Sequence, residues 1–213
     1  MEFSQLLEIV NTEPVFETGL LLAGPVDPAN VRRQLSRWVS AGRLWQLRRG
    51  LYALAPPYQK VKPHPFVVAN ALVRGSYVSL HAALAHYGHI PEYTPVVTSV
   101  TTGRPGNRQT PLGTYQFHHV KPGWFHGYQS LALDGTQQAF VALPEKALLD
   151  LVALQPGGDD PDYLAELRLQ ALERFDLKRL VTLAEASGRP KLRRAAAIVV
   201  ELARAEAEAY QTL

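Results

Sequence analysis

Asn30, Arg33, Arg37 and Ser40 follow one another at intervals of three, four and three residues, with Ser36 beside Arg37, a spacing that collects side chains on one face of a helix. Two arginines, an amide and two hydroxyls on one face are the groups that reach base edges and phosphates in the major groove of double-stranded DNA. Ala29 completes that face, and Arg32 and Gln34 lie on its flanks. No acid interrupts it, whereas a plain amphipathic surface helix normally carries Glu or Asp on its wet side. Further along, Arg43 and the run Arg48-Arg49-Gly50 add cations suited to phosphates or a minor groove.

The elements needed to hold these residues can be read around them. Asp27 is a helix N-cap and Pro28 suits the first helical position. Val31, Leu35, Trp38 and Val39 form an apolar stripe, and Gly42 supplies the stop. Before it, residues 2–10 read as a helix through Phe3, Leu6, Leu7 and Val10. Pro14 ends that helix, and Glu17 to Ala23 is a second short helical candidate closed by Gly24-Pro25. After Gly42, two strand-like runs flank Arg48-Arg49-Gly50, which describes a basic hairpin. Three helices and a basic hairpin, in that order, predict a winged helix-turn-helix over residues 1–57 with its third helix in the major groove. Such a unit can also serve as a protein-docking module.

Four prolines in the eleven residues from Ala55 to Pro65 predict an extended, semi-rigid linker. The second domain, 58–213, reads as mixed α/β and ends in a helical segment, so the expected class is α+β. Helices are expected over 66–74, from Ser79 to Tyr87 and from Pro144, then over roughly 161–174, 177–187 and 190–210. Strands are expected over 94–102, 113–120, 127–134 and 137–143.

The charge is unevenly spread. The 213 residues carry a net +3, yet residues 1–27 hold five acids and no base. Residues 28–133 hold twelve bases against one acid, Glu92, and residues 134–213 hold ten bases against thirteen acids. A polyanionic partner explains such a basic stretch, because phosphate contacts release counterions. Lys60, Lys62, Arg104, Arg108 and Lys121 are candidates for secondary phosphate contacts. Tyr115, Phe117, Trp124, Phe125 and Tyr128 lie among the bases, which fits either sheet core or base stacking. The absence of cysteine removes disulfides, thiol nucleophiles and Cys-containing zinc sites. No apolar run approaches the roughly 18 residues of a membrane span, and the acidic start of the chain is unlike a secretory signal. A cytoplasmic location fits these features.

No catalytic constellation, metal site or cofactor site is expected. Nucleophile-elbow, dinucleotide and P-loop glycine patterns are missing. Asp159, Asp160 and Asp162 suggest a divalent ion less well than a polar loop with Asp160 as an N-cap. His81 and His86 are spaced i, i+5, and His118 and His119 point to opposite sides of a strand, so neither pair makes a metal clamp. Glu145, Lys146 and Asp150 read as helix-dipole compensation and an i, i+4 ion pair.

Four motifs carry a family resemblance. Arg48-Arg49-Gly50-Leu51-Tyr52 is similar to the wing of the AbiEi-type antitoxins, and Ser76 to Gly88 resembles a helix of that family. The strands Val97 to Thr102 and Thr114 to Val120 resemble its paired strands, and Ala142 to Asp150 its "PEKALLD" helix. The resemblance covers about residues 28–152. It implies a transcriptional repressor and antitoxin of a bacterial type IV toxin–antitoxin operon, binding inverted repeats in its own promoter. The implied partner is a nucleotidyltransferase-like toxin encoded nearby. A stand-alone regulator, or a module that sequesters the toxin, are the alternatives. A monomer in solution and a dimer on DNA both fit the chain.

Overall fold

The computed structural model describes residues 1–91 and 95–211. Glu92, the one acid of the basic stretch, and Thr94, the start of an expected strand, lie outside the described residues. The first part runs α1 (Phe3–Val10), β1 (Phe16–Glu17), a 3-10 turn (Thr18–Leu22), α2 (Pro28–Ser40), β2 (Leu44–Arg48) and β3 (Leu51–Leu54). Asp27 caps α2 by accepting hydrogen bonds from the Ala29 and Asn30 amides at 2.9 and 3.3 Å. Val31 and Leu35 bury the inner face of α2.

The second of the expected helices does not form as an α-helix. Phe16 and Glu17 instead pair with Tyr52 and Leu51, which turns their backbone into a strand. One 3-10 turn is all that fits between that strand and Gly24-Pro25. The result is a three-stranded sheet in the order β1-β3-β2.

β3 is buried on both faces, and its alternate residues divide between two cores. Tyr52 and Leu54 face Leu6, Val10, Phe16, Val31 and Leu35. Leu51 and Ala53, with Leu47 of β2, belong to the core of the rest of the molecule. Period-two alternation makes this division automatic. The proline-rich stretch between is clasped rather than free. Tyr58 packs edge-on against Phe3 at 4.9 Å, and Gln137 accepts from the His64 amide and donates to the Lys62 carbonyl.

The remaining elements are α3 (Pro65–Leu72), β4 (Ser76–Val78), α4 (Leu80–His86), β5 (Val96–Thr101), β6 (Gly106–Thr110), β7 (Gly113–His119), a 3-10 turn (Pro122–Trp124), β8 (Tyr128–Ala132), β9 (Gln138–Ala142), α5 (Pro144–Leu154), α6 (Pro161–Glu166), a third 3-10 turn (Leu172–Arg174), α7 (Leu177–Ala186) and α8 (Pro190–Gln211). Six strands form one mixed sheet, in the order β6-β7-β5-β4-β9-β8. β4 and β6 are strands that sequence reading did not anticipate. The helix expected over 161–174 stops at Glu166, because the Gln170 amide is drawn to the His89 carbonyl at 2.9 Å. Arg168 and Ala171 take positive φ to make that bend. Among the described residues no helix is long and apolar enough to cross a membrane.

Candidate nucleic-acid interface

On α2, Asn30, Arg32, Arg33, Ser36, Arg37 and Ser40 are all exposed, as the helical spacing predicts. Arg43 follows at the helix exit, its guanidinium 5.0 Å from the centre of the Phe3 ring. Arg49 is exposed in the β2–β3 turn, where Gly50 supplies φ of +79°. Arg32 and Arg49 line one cleft together with Thr18, Leu22 and Tyr52.

Two expected contact residues are placed otherwise. Gln34 is half-buried, and its amide oxygen is buried without a hydrogen-bond partner, so it does not present that oxygen to a groove. Arg48 is turned inward: it donates to the Ala71 carbonyl at the end of α3 and to Glu17 at 2.8 Å. Glu17 also pairs with Arg74. Arg48 therefore ties the hairpin to α3 rather than standing at its tip. The signal that could have flagged this, Glu17, lies far away in sequence and becomes a neighbour only through β1.

The remaining candidates are dispersed. Lys60 donates to Asn11, and Lys62 is exposed. Arg104 and Arg108 are exposed beside and on β6, the sheet edge opposite β8, and Lys121 is exposed before the second 3-10 turn.

Arg48, Arg74, Arg174, Arg179, Arg193, Arg194 and Arg204 each pair with a carboxylate. Arg32, Arg33, Arg37, Arg43 and Arg49 make no ion pair among the described residues, and all five gather at α2 and the hairpin. Arg104, Arg108 and Arg189, also outside any ion pair among the described residues, lie elsewhere in the chain. Five exposed cations on and beside one helix, with no carboxylate paired to them, leave a field that a polyanion can neutralise.

The other charged cluster is interior. Lys146 and Asp150 are fully buried and paired on α5. Asp150 also accepts from Tyr77 Oη at 3.0 Å, Ser79 Oγ at 2.8 Å and Trp124 Nε1 at 2.7 Å. Ser79 stands at the N-cap position of α4, but its hydroxyl donates to Asp150 rather than capping the helix. Lys146 donates to Tyr77 Oη at 2.8 Å and lies 4.3 Å from the Trp124 ring centre. Burial holds the Lys146 ammonium below its ordinary value, with Asp150 pulling the other way. Burial, then Asp150, push the Tyr77 phenol up. Glu145 accepts from the Asp176 amide and pairs with Arg179, which pins the start of α7. Asp160 caps α6, and Asp159 pairs with Arg194. Among the described residues no group of three or more His, Cys, Asp or Glu is arranged to hold a metal.

No family model and no curated protein matches this sequence. Among solved structures, the chain is similar to the crystal structure of the Rv2827c protein from Mycobacterium tuberculosis, with a TM-score of 0.54 at 19% identity, over 92% of this chain and 75% of that one. At that identity the likeness is one of fold, and the fold is α+β.

Proposed function

We propose that the chain is a sequence-specific, double-stranded DNA-binding repressor that serves as the antitoxin of a bacterial type IV toxin–antitoxin operon in the cytoplasm. The observation that carries the DNA reading is the set of unpaired arginines on and beside α2, in a chain whose other arginines are mostly ion-paired. Asn30, Arg33 and Arg37 read base edges, while Arg32, Arg43 and Arg49 hold phosphates. The antitoxin role and the nucleotidyltransferase-like partner rest on the resemblance of the wing and the PEKALLD helix to AbiEi-type antitoxins.

The test is fluorescence anisotropy with DNA from upstream of the gene and a scrambled duplex, both at about 150 mM salt, where non-specific binding is weak. Upstream DNA should bind at least about a hundredfold tighter, within the usual span of specificity ratios. Arg33→Ala and Arg37→Ala should each remove about 1–3 kcal/mol of that preference. Equal, weak binding of both duplexes refutes the reading.

A further inference from the structure

The six-stranded sheet ends in the β8–β9 hairpin, and one side of that hairpin is bare. The register pairs Tyr128 with Ala142, Ser130 with Phe140 and Ala132 with Gln138, which puts these six side chains on one face. Ala142 is buried; the other five are exposed. Phe140, at 51%, is the most exposed large apolar side chain among the described residues, and Tyr128 is 36% exposed. The two rings meet edge to face with centroids 5.8 Å apart.

Tyr128 is held from behind. It stacks on Tyr77 at 4.7 Å, with Phe125 at 5.3 Å. Tyr77 is in turn locked by Lys146 and Asp150. A ring fixed in this way loses little freedom when another planar group lies on it. The other large side chain of the face is neutral and polar: Gln138, whose Oε1 accepts from Ser130 Oγ at 3.3 Å. Neither strand carries an acid, and Asp134 sits in the turn between them. Two exposed lysines adjoin the hairpin, one through the chain and one through a backbone hydrogen bond. Lys121 precedes the turn into β8, and the Lys62 carbonyl accepts from Gln137 at the start of β9.

We infer that this face is a stacking platform for single-stranded nucleic acid, with bases on Tyr128 and Phe140 and phosphates reached by Lys62 and Lys121. Exposed aromatic faces, neutral hydrogen-bonding groups and flanking cations match what unpaired bases and their backbone offer. A duplex hides its base faces, so this site is separate from α2 and stands or falls independently of the duplex reading.

The test uses the full chain and fluorescein-labelled oligo(U) and oligo(dT) at about 50 and about 150 mM salt. Both oligonucleotides should bind, more weakly at the higher salt. Phe140→Ala and Tyr128→Leu should each lower affinity about tenfold. Phe140→Ala should leave the circular dichroism spectrum and duplex binding unchanged, since half of the ring is already in solvent. Failure of both oligonucleotides to bind overturns the inference, as does equal binding by the wild type and the ring variants. A Phe140→Ala change that splits an oligomer, without oligonucleotide binding, makes the face a contact between copies and also overturns it.

Discussion

Replacing Asp150 with Asn is the sharpest perturbation of the fold. The exchange keeps the shape of the side chain but removes the charge facing Lys146, which is fully buried. Stranding a buried ammonium in this way costs about 3–5 kcal/mol. One Asp150 oxygen accepts from Tyr77 and Ser79, and the other from Trp124 and Lys146. The amide group of Asn replaces one of these acceptors with a donor, so at least one buried donor loses its partner, at about 1–3 kcal/mol if unsatisfied. Proton release from Lys146 limits the total, because burial already holds its pKa low. A loss of about 3–5 kcal/mol is therefore expected, a large share of the roughly 5–15 kcal/mol typical of a folded protein. Urea unfolding at pH 7.5, followed by circular dichroism, measures it. The paired replacement Lys146→Met with Asp150→Leu should lose less than the two single replacements summed, since no charge is left uncompensated. A Asp150→Asn protein within about 1 kcal/mol of wild type refutes the reasoning, because a lone buried ammonium should cost more than that.

The adjacent arginines of the hairpin should behave differently. Arg49→Ala should lower the salt slope of DNA binding by about one and leave stability unchanged. Arg48→Ala should destabilise by about 1–2 kcal/mol, a value discounted because its side chain is 32% exposed, as urea midpoints will show. Burial holds His64, His86, His118 and His126 below the ordinary imidazole value. The unfolded chain therefore takes up protons first as pH falls through about 6.5, and stability should decline from there until the folded-state values are passed. Melting temperatures at pH 7.5, 6.5 and 5.5 test this, and a flat profile contradicts it. Gly127 has φ of +75°, and a Cβ there would lie 3.1 Å from Lys146 Cγ. Gly127→Ala should thus cost about 1–3 kcal/mol by strain alone, read from the same urea curves.

The sequence made α2 legible because its signals are local and agree: a capping Asp, a proline at the first position, one apolar stripe and a glycine stop. The two-residue β1 has no period to detect. β4 is three residues buried throughout, and β6, Gly106–Thr110, is an edge strand with no apolar alternation. On the candidate interface, exposure followed from helical spacing for every α2 residue except Gln34. Arg48 and Arg49 are the same residue type side by side, and a carboxylate thirty-one positions earlier, with the Ala71 carbonyl twenty-three positions later, sets Arg48 apart. The aromatic run divided in the same unforeseeable way. Tyr115, Phe117 and Trp124 are core, while Tyr128 lies open on β8, an edge strand of the sheet.

The double allegiance of β3 bears on how such a protein can change over generations. Its four residues serve two interiors at once, one beneath α2 and one beneath the large sheet. A replacement that suits one interior is judged by the other through its immediate neighbour. Grafting residues 1–57 onto a foreign partner would bare Leu47, Leu51 and Ala53, and a foreign head would have to rebuild that surface to be accepted. On the proposed DNA-binding reading, new target sequences would be reached most cheaply by exchanging the exposed residues of α2 in place, leaving its mounting untouched.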